Sequence, residues 1–265
     1  MSGHSKWDTI KRKKGANDAK RAKEFTKIAR LIAVAAQNGG GDPNMNPALA
    51  LVMDKARAAN MPNDNVDRAI KRGTGEGGAG GRIEEISYEG YGPLGIAMIV
   101  DCATDNRNRT VADLRSTVEK TGGTFAETGA VSWQFKTLGR ILLEFETDEE
   151  KKIRENAKWN DKVGTPKLPK ADIENFELEL YDLNGILDIS SDDFGMEIKT
   201  EYSELNNVKK FIESKNIKIS DAELVKESEN QVELDEEGHE RVEKFIEAIE
   251  DMDDVQKVWT NVKLH

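Results

Sequence analysis

Cysteine is nearly absent: the 265 residues hold one, Cys102. A single thiol forms no intrachain disulfide. That excludes a disulfide-stapled scaffold and a cysteine zinc knuckle, and suits a reducing cytoplasm. Long apolar runs are missing too. No stretch approaches the ~18 uncharged apolar residues of a membrane span, so no membrane partner is expected. Histidine is scarce: His4, His239 and His265 stand far apart without ligand spacing, and no metal site is expected. There is no G-x-x-x-x-G-K-[ST] phosphate loop. No Ser–His–acid set or Cys–His pair is suggested. A G-x-G-x-x-G match at Gly75, Gly77 and Gly80 follows a helical pattern instead of a strand, and reads as linker. Residues 221–254 hold fifteen acids against three bases. They fall on an amphipathic helical pattern and its flanks, which reads as a solvated face and not as paired catalytic carboxylates. No catalytic residue, cofactor or small-molecule substrate is expected.

What the chain does have is charge, unevenly spread. Charged residues make up 34%, above the usual ~25%, which fits several small domains better than one large core. The formal net charge is −11. Residues 1–30 nevertheless carry ten Lys/Arg against three Asp/Glu, a net of +7. Residues 31–72 are near neutral at +1, and 73–265 sum to −19. This asymmetry points to a basic module that binds a polyanion, joined to an acidic body that a polyanion repels. The first residues lack the apolar stretch of a secretory signal. They are basic like a mitochondrial transit peptide, but Asp8, Asp18 and Glu24 count against that reading.

Periodicity predicts helices over 18–37, 46–60 and 63–72, with Asn63 as a cap and Gly73 at the C′ position. Six glycines in residues 73–81 mark a flexible linker, expected to let the helical domain reorient. The pattern then turns to strands at 83–90 and 95–102, a helix at 108–121, and a hairpin of 131–136 with 140–146 turning at Gly139. A polar stretch, 147–172, precedes a helix at 174–183. Strands at 186–190 and 196–200, a helix at 204–215, a strand pattern at 222–234, a helix at 236–251 and a strand at 255–262 complete the chain. Strand pairs interleaved with helices argue for an α+β body of two small βαββαβ-like units.

The functional signal is in the first 30 residues. Lys6, Lys11, Arg12, Lys13 and Lys14 precede the first helix; Lys20, Arg21, Lys23, Lys27 and Arg30 lie on it. At 100° per residue, Lys20, Lys23, Lys27 and Arg30 share one arc, and Phe25, Ile28, Ile32 and Ala35 lie roughly opposite. One face can pack while the other presents a cationic stripe to solvent. Such a stripe attracts nucleic acid by displacing condensed counterions. Trp7 is placed to stack on an exposed base. An isolated basic run is usually only a solvated face. Here the stripe, the run and the acidic contrast agree, and nucleic-acid binding is the favoured expectation. The 63–72 helix is short and offers only Arg68, Lys71 and Arg72 for base edges. That favours backbone contacts or recognition of RNA shape over sequence readout. A second cationic spot is Arg107 with Arg109, in Thr104-Asp105-Asn106-Arg107-Asn108-Arg109-Thr110. It lies where a helix N-terminus could take a phosphate, with Asp105, Asn106 or Asn108 as cap.

Several segments together resemble the YebC/PmpR family. They are Gly3-His4-Ser5-Lys6-Trp7, Asp18-Ala19-Lys20-Arg21, Gly39-Gly40-Gly41-Asp42-Pro43, Ala59-Asn60-Met61-Pro62 and Arg68-Ala69-Ile70-Lys71-Arg72-Gly73. Tyr88-Glu89-Gly90-Tyr91-Gly92-Pro93, the 104–110 segment and Asp253-Asp254-Val255 continue the match in order. The resemblance implies a non-enzymatic DNA-binding transcriptional regulator. The family's mitochondrial relative is a translational activator and bacterial members are linked to the ribosome, so an RNA- or ribosome-associated translation factor is the alternative. It also implies nesting: a helical domain at 1–72, the linker 73–81, an α+β domain of 82–130 with 219–265, and an inserted α+β domain at 131–218. The chain departs from the family at 147–172, an extra stretch with Trp159, Pro166 and Pro169, read as a surface insertion.

Overall fold

The computed structural model describes residues 18–76, 82–156 and 165–263. They form eight α-helices and two four-stranded antiparallel sheets, an α+β architecture. The chain divides into two compact units, one of 1–136 with 227–265 and one of 137–226.

The first unit opens with three helices: α1 (Asp18–Gly39), α2 (Pro47–Ala58) and α3 (Asn63–Thr74). The apolar arc of α1 does what its periodicity predicts: Ile28, Ile32 and Ala35 pack with Leu49, Ala56, Met61, Val66 and Ala69. Asn46 caps α2 by accepting from Leu49 N–H (3.1 Å), and its amide donates back to Ala35 O (2.8 Å). Gly73 is not the C′ residue. It lies inside α3, where a Cβ would fall 2.2 Å from Ala33 O, so α1 and α3 meet backbone to backbone. Gly75 takes the left-handed cap at φ +82°. Asn63 is likewise helical and not a cap; Pro62 holds that position. The glycine-rich linker therefore starts later than its composition suggests, and 77–81 lie outside the described residues.

The helices sit on a sheet of β1 (Glu84–Tyr91), β2 (Ala97–Thr104), β3 (Thr124–Phe125) and β8 (Val255–Thr260), in the order β3-β1-β2-β8. One face is covered by α4 (Arg107–Lys120) and α8 (Glu236–Glu250), around Met98, Val100, Leu114, Val118, Phe245 and Ile249. Each such side chain contributes about 1.5–3 kcal/mol by burial. On the other face Ala33 and Val34 of α1 pack on Ile83 and Ala103, and Gln37 Nε2 donates to Ile83 O (3.0 Å). The helical domain is thus packed directly on the sheet, where the sequence suggested a free joint. Residues 132–134 form a 3-10 turn instead of a strand. The cause is Glu89, a buried carboxylate on β1 that accepts from Gly129 N–H (2.7 Å), Val131 N–H (2.7 Å) and Ser132 N–H (2.9 Å).

The second unit contains β4 (Phe135–Glu144), α5 (Asp148–Asn156), α6 (Ile173–Tyr181), β5 (Ile186–Ser191), β6 (Gly195–Glu201), α7 (Leu205–Ser214) and β7 (Asp221–Ser228). Its sheet runs β5-β6-β4-β7 over a core that includes Ile141, Leu143, Leu180, Ile198 and Ile212. Two readings of the sequence fail here. Gly139 does not turn a hairpin but lies mid-strand in β4, where a Cβ would meet Thr200 Oγ1 at 2.3 Å. Residues 219–226 belong to this unit, not to the first domain, since β7 lies beside β4 and Arg140 pairs with Glu223 across them. The 147–172 stretch is also more than a surface insertion. Leu168 is buried and bridges Phe145, and Lys218 N–H donates to Pro166 O (2.7 Å). Trp159 lies outside the described residues.

Candidate nucleic-acid interface

Lys6, Trp7, Lys11, Arg12, Lys13 and Lys14 lie outside the described residues, as does the side chain of Lys20. Arg21 is exposed, its guanidinium 5.5 Å from the centroid of the Phe25 ring. Lys23, Lys27 and Arg30 share one face of α1, but that face is engaged by the chain itself, half-open at Lys23 and largely covered at Arg30. All three reach the turn between α8 and β8. Lys23 Nζ lies 2.6 Å from Asp251 Oδ1, Lys27 donates to Glu250 O, and Arg30 donates to Asp253 O. Arg30 Nη1 also lies 2.6 Å from Asp254 Oδ1. The expectation of a solvent-facing stripe is corrected at these positions. The reason is long-range: the C-terminal carbonyls of α8 lack helical partners and carry the negative end of its dipole, which draws cations.

Asp254 is the hub. Its Oδ2 accepts from Arg109 Nη2 (3.0 Å) and Thr110 Oγ1 (2.6 Å), and its backbone oxygen accepts from Ala103 N–H (2.9 Å). Burial opposes ionisation of Asp254. The hydrogen bonds from Thr110 and Arg109, with the charges of Arg30 and Arg109, outweigh it and hold the carboxyl below its ordinary value. One carboxylate therefore ties α1, the start of α4 and the α8–β8 turn together. The sequence carried this signal only as an unexplained motif, Asp253-Asp254-Val255.

The 104–110 segment forms the N-terminus of α4. Asn106 is the cap, accepting from Arg109 N–H at 3.1 Å. Asp105 lies between two guanidinium groups, 3.1 Å from Arg109 and 3.3 Å from Arg72 of α3. Arg107 points away, 63% exposed, with Glu84 Oε2 at 3.8 Å. Arg72, Arg107 and Arg109 thus place three guanidinium groups around the α4 N-terminus, and only Arg107 stands clear of the Asp254 and Asp105 network. Such groups are suited to oxyanions: planar, permanently charged and able to bond a phosphate through two N–H groups. On α3, Arg68 Nε donates to Asp64 O (3.1 Å) and Lys71 is exposed. No helix among the described residues is long and apolar enough to cross a membrane.

A helical module packed on an α+β unit, with a second α+β unit inserted in the chain, defines a multidomain α+β class of protein. The family described as "TACO1/YebC protein N-terminal domain" matches residues 5–76, and "TACO1/YebC second and third domain" matches 83–262. The chain belongs to the TACO1/YebC family. It is 44% identical to a probable transcriptional regulatory protein of Chlorobaculum tepidum, over 100% of this chain and 96% of that protein. It is 43% identical to one of Geobacter sulfurreducens, over 98% of this chain and 95% of the other. The crystal structure of a conserved hypothetical protein from Aquifex aeolicus aligns with a TM-score of 0.75 at 34% identity, covering 94% of this chain and 92% of that one. By the names of these relatives the family is one of regulators, and none of the names indicates an enzymatic activity.

Proposed function

We propose that this protein is a non-enzymatic, cytoplasmic nucleic-acid-binding regulator that grips phosphates through its N-terminal cations. The observation that carries the reading is the charge division: +7 over residues 1–30 against −19 over 73–265. The described part of that basic segment is α1, whose apolar arc is spent on the helical core while its cations lie elsewhere on the helix. Lys6, Lys11, Arg12, Lys13 and Lys14 form the leading arm, with Trp7 to stack on a base. Lys20, Arg21, Lys23, Lys27 and Arg30 extend the cationic track along α1, and Arg107 and Arg109 add a phosphate contact at α4. The names of the relatives favour DNA and transcription.

A second reading, an RNA- or ribosome-associated translation factor, is favoured by α3. That helix is twelve residues long, and Arg68 and Arg72 are engaged with Asp64 and Asp105. Arginines so engaged are poorly placed to read base edges in a DNA major groove. The full chain is to be titrated against duplex DNA and single-stranded RNA, beside a variant with Lys11, Arg12, Lys13 and Lys14 changed to Ala. Binding that collapses in the variant while the fold is kept supports the reading; binding to neither polymer overturns it. Sedimentation from lysate with DNA or with ribosomes, before and after RNase, separates the two versions.

A further inference from the structure

The α8–β8 turn makes an unusual set of contacts for a surface loop. Residues 250–254 hold four acids in five positions: Glu250, Asp251, Asp253 and Asp254. The turn offers α1 a row of oxygens, namely the Glu250 and Asp253 carbonyls and the Asp251 and Asp254 carboxylates. The cations that meet them, Lys23, Lys27 and Arg30, span seven helical steps, about 10 Å at 1.5 Å per residue. Over that length one DNA strand carries roughly three phosphates. Three successive cations thus meet a negative track of matching extent supplied by the chain itself.

We propose that the 250–254 turn is an autoinhibitory clasp: it occupies the cationic face of α1 as an internal stand-in for a phosphate backbone, and nucleic acid must displace it to engage Lys23, Lys27 and Arg30. This rests on the nucleic-acid reading above. The clasp is graded along its length. At its outer end, Lys23 and Asp251 are 43% and 66% exposed, a pair of the kind worth little in water. At its inner end, Arg30 and Asp254 are 18% and 10% exposed and share the hub with Arg109 and Thr110. Displacement therefore starts at Lys23 and proceeds toward Arg30.

The test uses the full chain with a 20-nucleotide RNA and a duplex DNA of equal length. Asp251→Asn releases the outer end; Glu243→Gln, an exposed acid on α8, makes the same change in net charge outside the clasp. Asp251→Asn is expected to tighten binding about two- to fivefold, the worth of one exposed pair, and Glu243→Gln to leave it unchanged. Hydrogen exchange gives an independent readout: saturating nucleic acid should speed exchange of the amides of 250–255 in the unaltered protein. If the unaltered protein binds but Asp251→Asn binds no tighter than Glu243→Gln, and exchange in 250–255 is unmoved, the clasp is refuted while the nucleic-acid reading stands. If the unaltered protein binds neither polymer, both fall.

Discussion

Arg30 and Asp254, 224 residues apart in the chain, sit 2.6 Å from one another, and the same carboxylate bonds Arg109 and Thr110. Removing one partner of a buried pair strands the other. Asp254→Ala is therefore expected to cost about 3–5 kcal/mol, against about 0.2–1 kcal/mol for Lys23→Ala at the exposed end. Urea denaturation of both variants checks this. Equal losses would mean that the hub is not what holds the helical module to the sheet.

Acid should loosen the fold through two carboxylates. Burial works against Glu89, but three backbone N–H bonds prevail and hold its carboxyl below the ordinary range; Asp254 is lowered in the same sense. A pKa lowered by folding gives stability that is complete above the unfolded value, ~4. It is lost as pH falls through the folded value. Melting temperature should be level near neutrality and drop below about pH 4. Glu89→Gln should melt lower at pH 7, because an amide nitrogen faces backbone donors, yet lose less on acidification. An unchanged acid response in Glu89→Gln would assign the effect elsewhere.

The outcome at these residues shows what a sequence reveals and where it stops. The apolar arc of α1, the start of α2 near Asn46, a cap for α4 among Asp105, Asn106 and Asn108, and most strand and helix spans were legible, because each depends on neighbours within a few residues. The partners of Lys23, Lys27 and Arg30 were not. Helical spacing says that they share a face; the acids that meet that face lie 223 to 228 residues away. Gly73 and Gly139 misled for a related reason. Glycine usually signals a turn, but here it clears space for Ala33 O and Thr200 Oγ1, contacts that only the tertiary structure creates.

Gly73→Ala tests the closest of those approaches. In an exposed helix the change gains about 1 kcal/mol. Here the new methyl would lie 2.2 Å from Ala33 O and 2.8 Å from Ala36 Cβ, so α1 and α3 must separate. A lower melting temperature is expected, and a higher one would refute the backbone contact.

Arg107 and Arg109 should behave differently although they are two residues apart. Arg109 bonds Asp254 and Asp105, so Arg109→Ala should lower stability as well as binding. Arg107 lies 3.8 Å from Glu84, both side chains exposed. Arg107→Ala should keep its melting temperature and lower the salt slope of nucleic-acid binding by about one. An unchanged slope would remove Arg107 from the interface.

Phosphates held by cations make binding depend steeply on salt. The affinity of the full chain for one RNA or DNA is to be measured between 50 and 200 mM salt. With about 6–10 phosphate contacts, affinity should fall linearly on logarithmic axes, by about 10³–10⁵ over that range. An affinity that stays level across it would rule out phosphate contacts and identify the basic face as a surface for another kind of partner.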